Sequence, residues 1–476
     1  MRYRAIPFLL FVVVLIVPLA LRWASGITTA KRATGSDRII VITPHAEAIR
    51  SEFAFAFSNW HEKHYGSPVF IDYRIYGGAT DITRFFDSAR STLFASLHTY
   101  NIDIVWGGGD DLFENGLRKP GYLQGVALDE SVMRKAFAQR EINGLELYDT
   151  KSQPPQWFGT ALSSFGIVYN RDVLAHLGLP EPKTWRDLID PKYAGWLVLA
   201  DPTRSGVART AFMVIVERAM QDAADAHGDV NQGWARGMGM IRQIAANARM
   251  FTDNGSIVPA IVSSGDAAAG MAIDFQARSQ VDAVAVGSTS RLGYVEPVGA
   301  TAINPDPVAM VAGAPHPELA KHFIEYLLSE EGQRLWITRA GAPGGPRQTS
   351  LRRLPIMKSV YDSPTNFTDT VNPYVASAGF NTRPDRSVTA PIVASLVQMS
   401  CIDLLDDLRT TRRTVLNSRA TELDAKLGTF PFDQREAIIR AKNWRASTSL
   451  QRLDLQREWT QEFRTEYANL RNSAKN

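Results

Sequence analysis

The sequence predicts an α/β protein of two lobes with mixed central sheets, hinge crossings between the lobes and an α-helical C-terminal extension. Three observations predict it. Strand and helix signals alternate three times from Arg38. The chain then enters a second α/β region and comes back, so two crossings would join a hinged pair of lobes around a cleft. Beyond a Gly/Pro-rich stretch, Gly341-Ala342-Pro343-Gly344-Gly345-Pro346, the pattern turns mainly helical.

The elements follow in order. Arg2 and Arg4 precede the apolar run Phe8–Leu21, which is shorter than the roughly 20 residues of a bilayer span. Residues 1–30 therefore read as a signal peptide or an N-terminal anchor. Arg38–Thr43 reads as a buried strand, and Ile49, Phe53, Phe57 and Trp60 have helical spacing. Val69–Tyr76 is a second strand, and Gly77–Asp81 opens a helix through Ile82, Phe85 and Phe86. Ile102–Trp106 is a third strand, ending in Gly107-Gly108-Gly109. Open parallel sheets bind ligands at the carboxyl ends of their strands, here at Thr43-Pro44-His45, Gly77–Asp81 and Gly107–Asp111. Gly159–Asn170 reads as the strand that enters the second lobe. Ala272–Phe275 and Val281–Val286 read as later strand pieces, and Gly293–Pro297 onward to Val311 as the return. The expected division is 38–158 plus 298–340 for the first lobe, 159–297 for the second and 341–476 for the helical extension. In that extension Leu455, Trp459, Phe463, Tyr467 and Leu470 form an apolar stripe that suits packing onto a lobe.

Composition excludes several classes. The 476 residues suggest two or three domains, and 52 Lys and Arg against 49 Asp and Glu give a net charge of +3, which makes no case for nucleic acid. Cys401 is the single cysteine; it rules out an internal disulfide and a cysteine-based metal site, and reads as a small buried hydrophobe. No Gly-x-Ser-x-Gly, His-Glu-x-x-His or phosphate-loop pattern occurs, so the chain does not read as an enzyme.

The ordered motifs resemble those of type II periplasmic solute-binding proteins of bacterial ABC importers, closest to the ferric iron, thiamine and phosphonate branch. The residues that carry the resemblance are Thr43-Pro44-His45, Tyr76–Asp81, Phe165–Asn170, Trp185–Leu188 with Asp190–Gly195, Asp201–Gly206, and His316–Lys321 through Leu328–Gln333. The resemblance spans about Arg38 to Trp336. It implies the periplasmic-binding-protein type II fold, an extracytoplasmic location, capture of a small-molecule or ion ligand by lobe closure, and docking of a monomer on ABC permease subunits. A membrane-tethered receptor or sensor on the same fold is the alternative. No resident cofactor or metal is implied, although ferric iron is among the transported ligands of that branch. Where its paired tyrosines belong, after Gly270–Ile273, this chain has Asp274-Phe275, which speaks against tyrosinate ligation of iron. Ferric iron with an anion, a phosphonate, thiamine or its phosphates, and a polyamine all stay open as ligands.

The expected ligand-binding residues are Thr43, His45, Gly78, Thr80, Trp106, Arg204, Ser205, Gly206, Asp274 and Phe275. Thr80 and Ser205 each sit at a helix start after a strand, one per lobe. Closure would aim two helix N-termini, with their unpaired amides and partial positive charge, at one anion. Gly78 and Gly206 let a ligand approach the backbone, and Arg204 brings a cation. Thr43 lies at the first strand end; His45 can exchange a hydrogen bond or bind a metal, Asp274 can meet an amine or cation, and Trp106 and Phe275 can stack on a ring or amine.

Overall fold

The computed structural model describes residues 37–475 other than 288, 377, 378 and 384. The proposed signal or anchor at 1–30 lies outside the described residues. Two main sheets organise the rest. In the first, the strands run in the order Leu354–Pro355, Phe158–Ser163, Asn304–Val311, Ile104–Trp106, Asp37–Ile42 and Val69–Arg74, with Leu123–Gln124 also pairing Asn304–Val311. Asp37–Ile42 is parallel to both neighbours, whereas Asn304–Val311 is antiparallel to the strands it joins, so the sheet is mixed.

The first strand shows why its sequence is apolar without alternation. Ile39 and Val41 pack with Phe53, Phe57 and Trp336 on one face. Ile40 and Ile42 pack with Phe86, Phe113 and Tyr122 on the other. A strand covered on both faces has no solvent side on which to place polar residues. The helices Glu47–Tyr65 and Ala79–Ala89 supply the two covers.

The second sheet runs Ala248–Thr252, Leu197–Ala200, Ala269–Ile273, Phe165–Asn170 and Leu292–Val295. Its first three strands are parallel and the last two pairings antiparallel. The first crossing is therefore at Ser164. Gly159–Ser163, expected in the second lobe, pairs instead with Asn304–Val311 in the first sheet. The apolar run continues through the crossing, so the sequence marks no break there. Val281–Val286, expected as strand, mostly ends the helix Asp274–Ala283, and only Ala285–Val286 is a short strand.

The C-terminal part divides in two. Leu354–Pro355 adds a strand to the first sheet, and Leu351, Ile356, Met357 and Val360 are buried in the first core. The Gly341–Pro346 stretch is a tight loop rather than a linker. The amides of Arg347 and Gln348, just after it, donate to the buried Glu52 carboxylate at 2.8 Å each.

From Arg386 on, the helices pack against the second sheet. Leu408, Val415, Trp459, Phe463, Tyr467 and Leu470 share one core with Trp234, Met238 and Ile241 of the helix Val230–Ala246. Burial of each such side chain is worth roughly 1.5–3 kcal/mol, so the extension contributes heavily to that lobe. Arg242, fully buried, fastens it: the guanidinium donates to Glu466 at 2.8 Å and to the carbonyls of Leu427 at 2.9 Å and Thr429 at 2.8 Å. Gly239 permits the close approach, since a Cβ there would lie 2.1 Å from the Gly428 carbonyl oxygen. Cys401 is buried in the same core, and burial raises its thiol to about 11. Among the described residues, no single helix is long and apolar enough to cross a membrane.

Candidate functional site

A cavity of about 580 Å³ lies between the two sheets, walled by strand ends and helix starts of both. Its volume falls within the ordinary range for small-molecule sites. His45, Gly78, Thr80, Arg204, Ser205, Gly206 and Phe275, all named from the sequence, line it.

Three expected residues do not. Thr43 is fully buried, and its hydroxyl accepts from the His45 amide at 3.1 Å, so it shapes the turn beneath the cavity. Trp106 is fully buried between His45 and Phe53, and its indole N–H donates to Thr160 Oγ at 3.2 Å. It is core because its strand is the middle of the sheet. Asp274 is 1 % exposed, behind Phe275. Its Oδ1 accepts the Phe275 amide at 2.8 Å, and burial, only partly offset by Arg278, pushes its carboxyl up to about 7.

The second-lobe wall is a helix start. Ser205 caps the helix Gly206–Asp225, its hydroxyl accepting the Ala208 amide at 3.3 Å. The preceding turn is held by Asp201, which accepts from the Thr203 amide at 2.8 Å. The Gly206 and Val207 amides have no hydrogen-bond partner among the described residues, as the first turn of a helix dictates. Arg204 is exposed and pairs with Asp253 at 2.6 Å. Arg209, one turn into the helix, reaches across the gap to Asp111 of the first lobe at 3.8 Å.

The first-lobe wall is built differently. Its helix start, Ala79–Ala89, carries its own anion: Asp81 accepts the Gly78 amide at 3.2 Å. Thr80 is exposed one residue inside that helix. Deeper in, Asp306 accepts the amides of Gly108 at 2.8 Å and Gly109 at 3.2 Å and the Arg353 guanidinium at 2.7 Å. Burial alone would raise the Asp306 carboxyl, but the Arg353 charge and these hydrogen bonds hold it below the ordinary range. Arg353 also donates to Ser163 Oγ at 2.8 Å and stacks 4.5 Å from the Phe275 ring centroid, a cation–π contact from one lobe to the other. His45 Nε2 is 3.7 Å from Asp306, and burial lowers the imidazole to about 4, so it is neutral at neutral pH. Gly107 makes room for that ring, since a Cβ there would lie 2.7 Å from Nε2.

The sequence reading missed Arg353, Asp306, Arg209 and Ser163. Asp306 left a trace: a lone acid between Pro305 and Pro307 in an otherwise apolar strand. Arg353 left none, because it falls in a region read as extension. No tyrosine lines the cavity, and no group of three or more His, Cys, Asp or Glu that could hold a metal ion occurs among the described residues.

Similar proteins agree with this architecture. Over 175 residues the chain is 30% identical to a phosphoglycerate transport regulatory protein, PgtC, of Salmonella typhimurium, covering 37% of this chain and 39% of that one. An uncharacterized protein of Haemophilus influenzae is 27% identical over 198 residues, 40% of this chain and 51% of that one. The chain thus spans two fifths to half the length of these relatives. Among solved structures, the periplasmic binding protein AfuA from Actinobacillus pleuropneumoniae with fructose-6-phosphate bound superposes with a TM-score of 0.52 at 18% identity, covering 72% of this chain and 95% of AfuA. Iron-bound HitA from Pseudomonas aeruginosa gives a TM-score of 0.52 at 13% identity, covering 75% of this chain and 98% of HitA. These two likenesses establish the type II binding-protein fold. The sequence profile of the bacterial extracellular solute-binding proteins matches residues 90–369, more than half of the chain, and the chain belongs to that family.

Proposed function

We propose that this protein is an extracytoplasmic receptor that closes its lobes on a small phosphate- or phosphonate-bearing solute and presents it, as a monomer, to the permease of an ABC importer. The first sheet with its returning segment and the second sheet with the C-terminal helices act as the closing units. The observation that carries the reading is the start of the Gly206–Asp225 helix. It opens into the cavity with two unpaired amides, the Ser205 cap and the guanidinium of Arg209 close by. An oxyanion satisfies all of these at once, whereas a polyamine would find nothing to donate to at this helix start and would have to use the aspartates elsewhere in the cavity. The name of the Salmonella relative and the sugar phosphate in AfuA point to the same ligand chemistry. Iron is disfavoured by Asp274-Phe275 in place of a tyrosine pair.

The test is a thermal-shift and calorimetry series with 3-phosphoglycerate, a hexose 6-phosphate, thiamine phosphate, ferric citrate and spermidine. A ligand that binds only the closed state raises the melting temperature. Ser205→Ala with Thr80→Ala is expected to weaken phosphorylated-solute binding by about 2 kcal/mol or more, since charge-assisted hydrogen bonds run roughly 1.5–3 kcal/mol each. Stabilisation by ferric citrate or spermidine alone would overturn the reading.

One observation favours a second role. The Salmonella relative is named a regulatory protein. In this chain a large helical extension is built into the lobe that carries the anion-binding helix start, so lobe closure would move a broad surface away from the cleft. A membrane-tethered sensor would use that surface, and N-terminal sequencing of the mature protein separates it from a free carrier.

A further inference from the structure

A second cavity, of about 370 Å³, adjoins the first. Asp110, Asp111, Arg209, Thr210 and Asn304 line both. The neck between them is flanked by Arg209 and Asp111, 3.8 Å apart and on opposite lobes. The far wall of the second chamber comes from the segment after Gly379, where the chain crosses from the first sheet to the C-terminal helices, and from the helix Arg386–Val397: Thr382, Arg383, Arg386 and Ala390.

That crossing is tied to both lobes. The Thr382 amide donates to the Asn143 carbonyl of the first lobe at 2.8 Å. The Gly379 carbonyl accepts from Arg218 at 3.0 Å and Gln221 at 3.2 Å on the second-lobe helix. Arg386 is therefore held in place rather than waving in solvent. Its carboxylate neighbour within ion-pair distance is the buried Glu217, 3.7 Å away, and its hydrogen bond to Thr382 Oγ is 3.4 Å long. Neither contact saturates a five-donor guanidinium. The carboxyl of Asp110 lines the same chamber and accepts the Asn304 side-chain amide at 3.2 Å, and in the neck the buried Oδ1 of Asn304 has no hydrogen-bond partner among the described residues.

We propose that the solute site continues through the neck into this second chamber, and that Arg386, carried by the C-terminal extension, is a specificity residue for the hydroxyl-bearing end of an elongated phosphorylated solute. The phosphate would take the helix start at Gly206. The chain of hydroxyls would donate to Asn304 Oδ1 and the Asp110 and Asp111 carboxylates in the neck, and its far oxygens would accept from Arg386. Carboxylate, amide and guanidinium groups in one narrow passage match a polyol, whose hydroxyls donate and accept in turn. The proposal thus requires a five- or six-carbon sugar phosphate to reach Arg386 and a three-carbon phosphorylated acid to stop short of it. The extension would then be part of the recognition surface and not only a buttress.

The proposal rests on the anion reading of the cleft, and the experiment separates the two. Calorimetry on the full chain uses inorganic phosphate, 3-phosphoglycerate and a hexose 6-phosphate. Arg386→Met alone leaves Glu217 buried without its cation, so it is paired with the double variant Arg386→Met/Glu217→Gln, which removes both charges; melting curves confirm folding. The expected result is hexose-phosphate affinity lowered at least about tenfold in both variants, with the affinity for 3-phosphoglycerate and phosphate unchanged. An equal loss for short and long probes, or no loss for the long one, overturns the second chamber while leaving the anion site standing. Absence of binding by all three probes overturns the anion reading and the chamber with it.

Discussion

The two walls of the cleft are made from the same parts, a strand end and a helix start, yet they differ in the charge they set beside the free amides. In both, the first two helical amides, Gly206 and Val207 in the second lobe and Ala79 and Thr80 in the first, have no hydrogen-bond partner among the described residues. In the first lobe the start at Ala79 is met by its own Asp81, and the buried cation Arg353 is already committed to Asp306 and Ser163. A helix N-terminus attracts anions only as far as its own sequence has not supplied one. The pair Thr80 and Ser205, alike in sequence, is thus unequal in the structure. The second-lobe wall offers a solute donors, and the first-lobe wall surrounds its committed Arg353–Asp306 pair with the carboxylates of Asp81, Asp110 and Asp111.

The most severe test of that view is Arg353→Ala. It strands the Asp306 carboxylate in a buried site and removes the cation under Phe275, so a loss of about 3–5 kcal/mol in folding stability is expected by urea unfolding. The double variant Arg353→Met/Asp306→Asn should recover much of the loss, because it removes the pair together. If Arg353→Ala melts like the parent while anion affinity collapses, the guanidinium is a ligand group and the first wall is not self-contained.

Asp274 gives a pH-dependent test on the other wall. Its folded carboxyl titrates at about 7 against an ordinary 3.8, because burial disfavours its charge more than Arg278 favours it. Between those values the folded state holds a proton that the unfolded chain has released, so stability falls as pH rises from about 4 to 7 and then levels off. His45 acts in the opposite sense: its folded value of about 4 lies below the ordinary 6.5, so its contribution grows as pH rises between them. The difference between Asp274→Asn and the parent isolates the aspartate. The variant should equal the parent near pH 4 and exceed it by about 1–3 kcal/mol at pH 8. A constant difference across that range would mean that Asp274 is ionised throughout and paired.

Much of this was legible in the sequence, and the losses have physical causes. The turn at Asp201–Gly206 was readable because a strand, a cap and a helix are local signals. His45, Phe275 and the helix start at Gly206 lie in the cleft because strand ends in such sheets converge there. Trp106 misled because one residue along a strand exchanges cleft for core, and Asp274 because it is the first residue of a helix, which turns its side chain behind Phe275. Arg353 was invisible for another reason: it returns to the first sheet through Leu354–Pro355, a two-residue strand with no periodicity to read. The boundary at Ser164 was missed because both sides of the crossing are fully buried strands of similar composition.

The smallest expected effect addresses the asymmetry most directly. Asp81→Asn keeps an acceptor for the Gly78 amide but removes the negative charge from the first-lobe helix start. If a closed solute sits within reach of both helix starts, its affinity should rise by about 0.3–1 kcal/mol at low ionic strength and the gain should shrink with added salt. Calorimetry with a phosphorylated solute at low and at physiological salt reads both. An unchanged affinity would place the anion against the second-lobe wall alone, out of range of the first helix, and would make the Thr80 hydroxyl a bystander. A loss of affinity would mean that Asp81 itself receives a hydroxyl of the solute, and the first wall would then count as part of the grip.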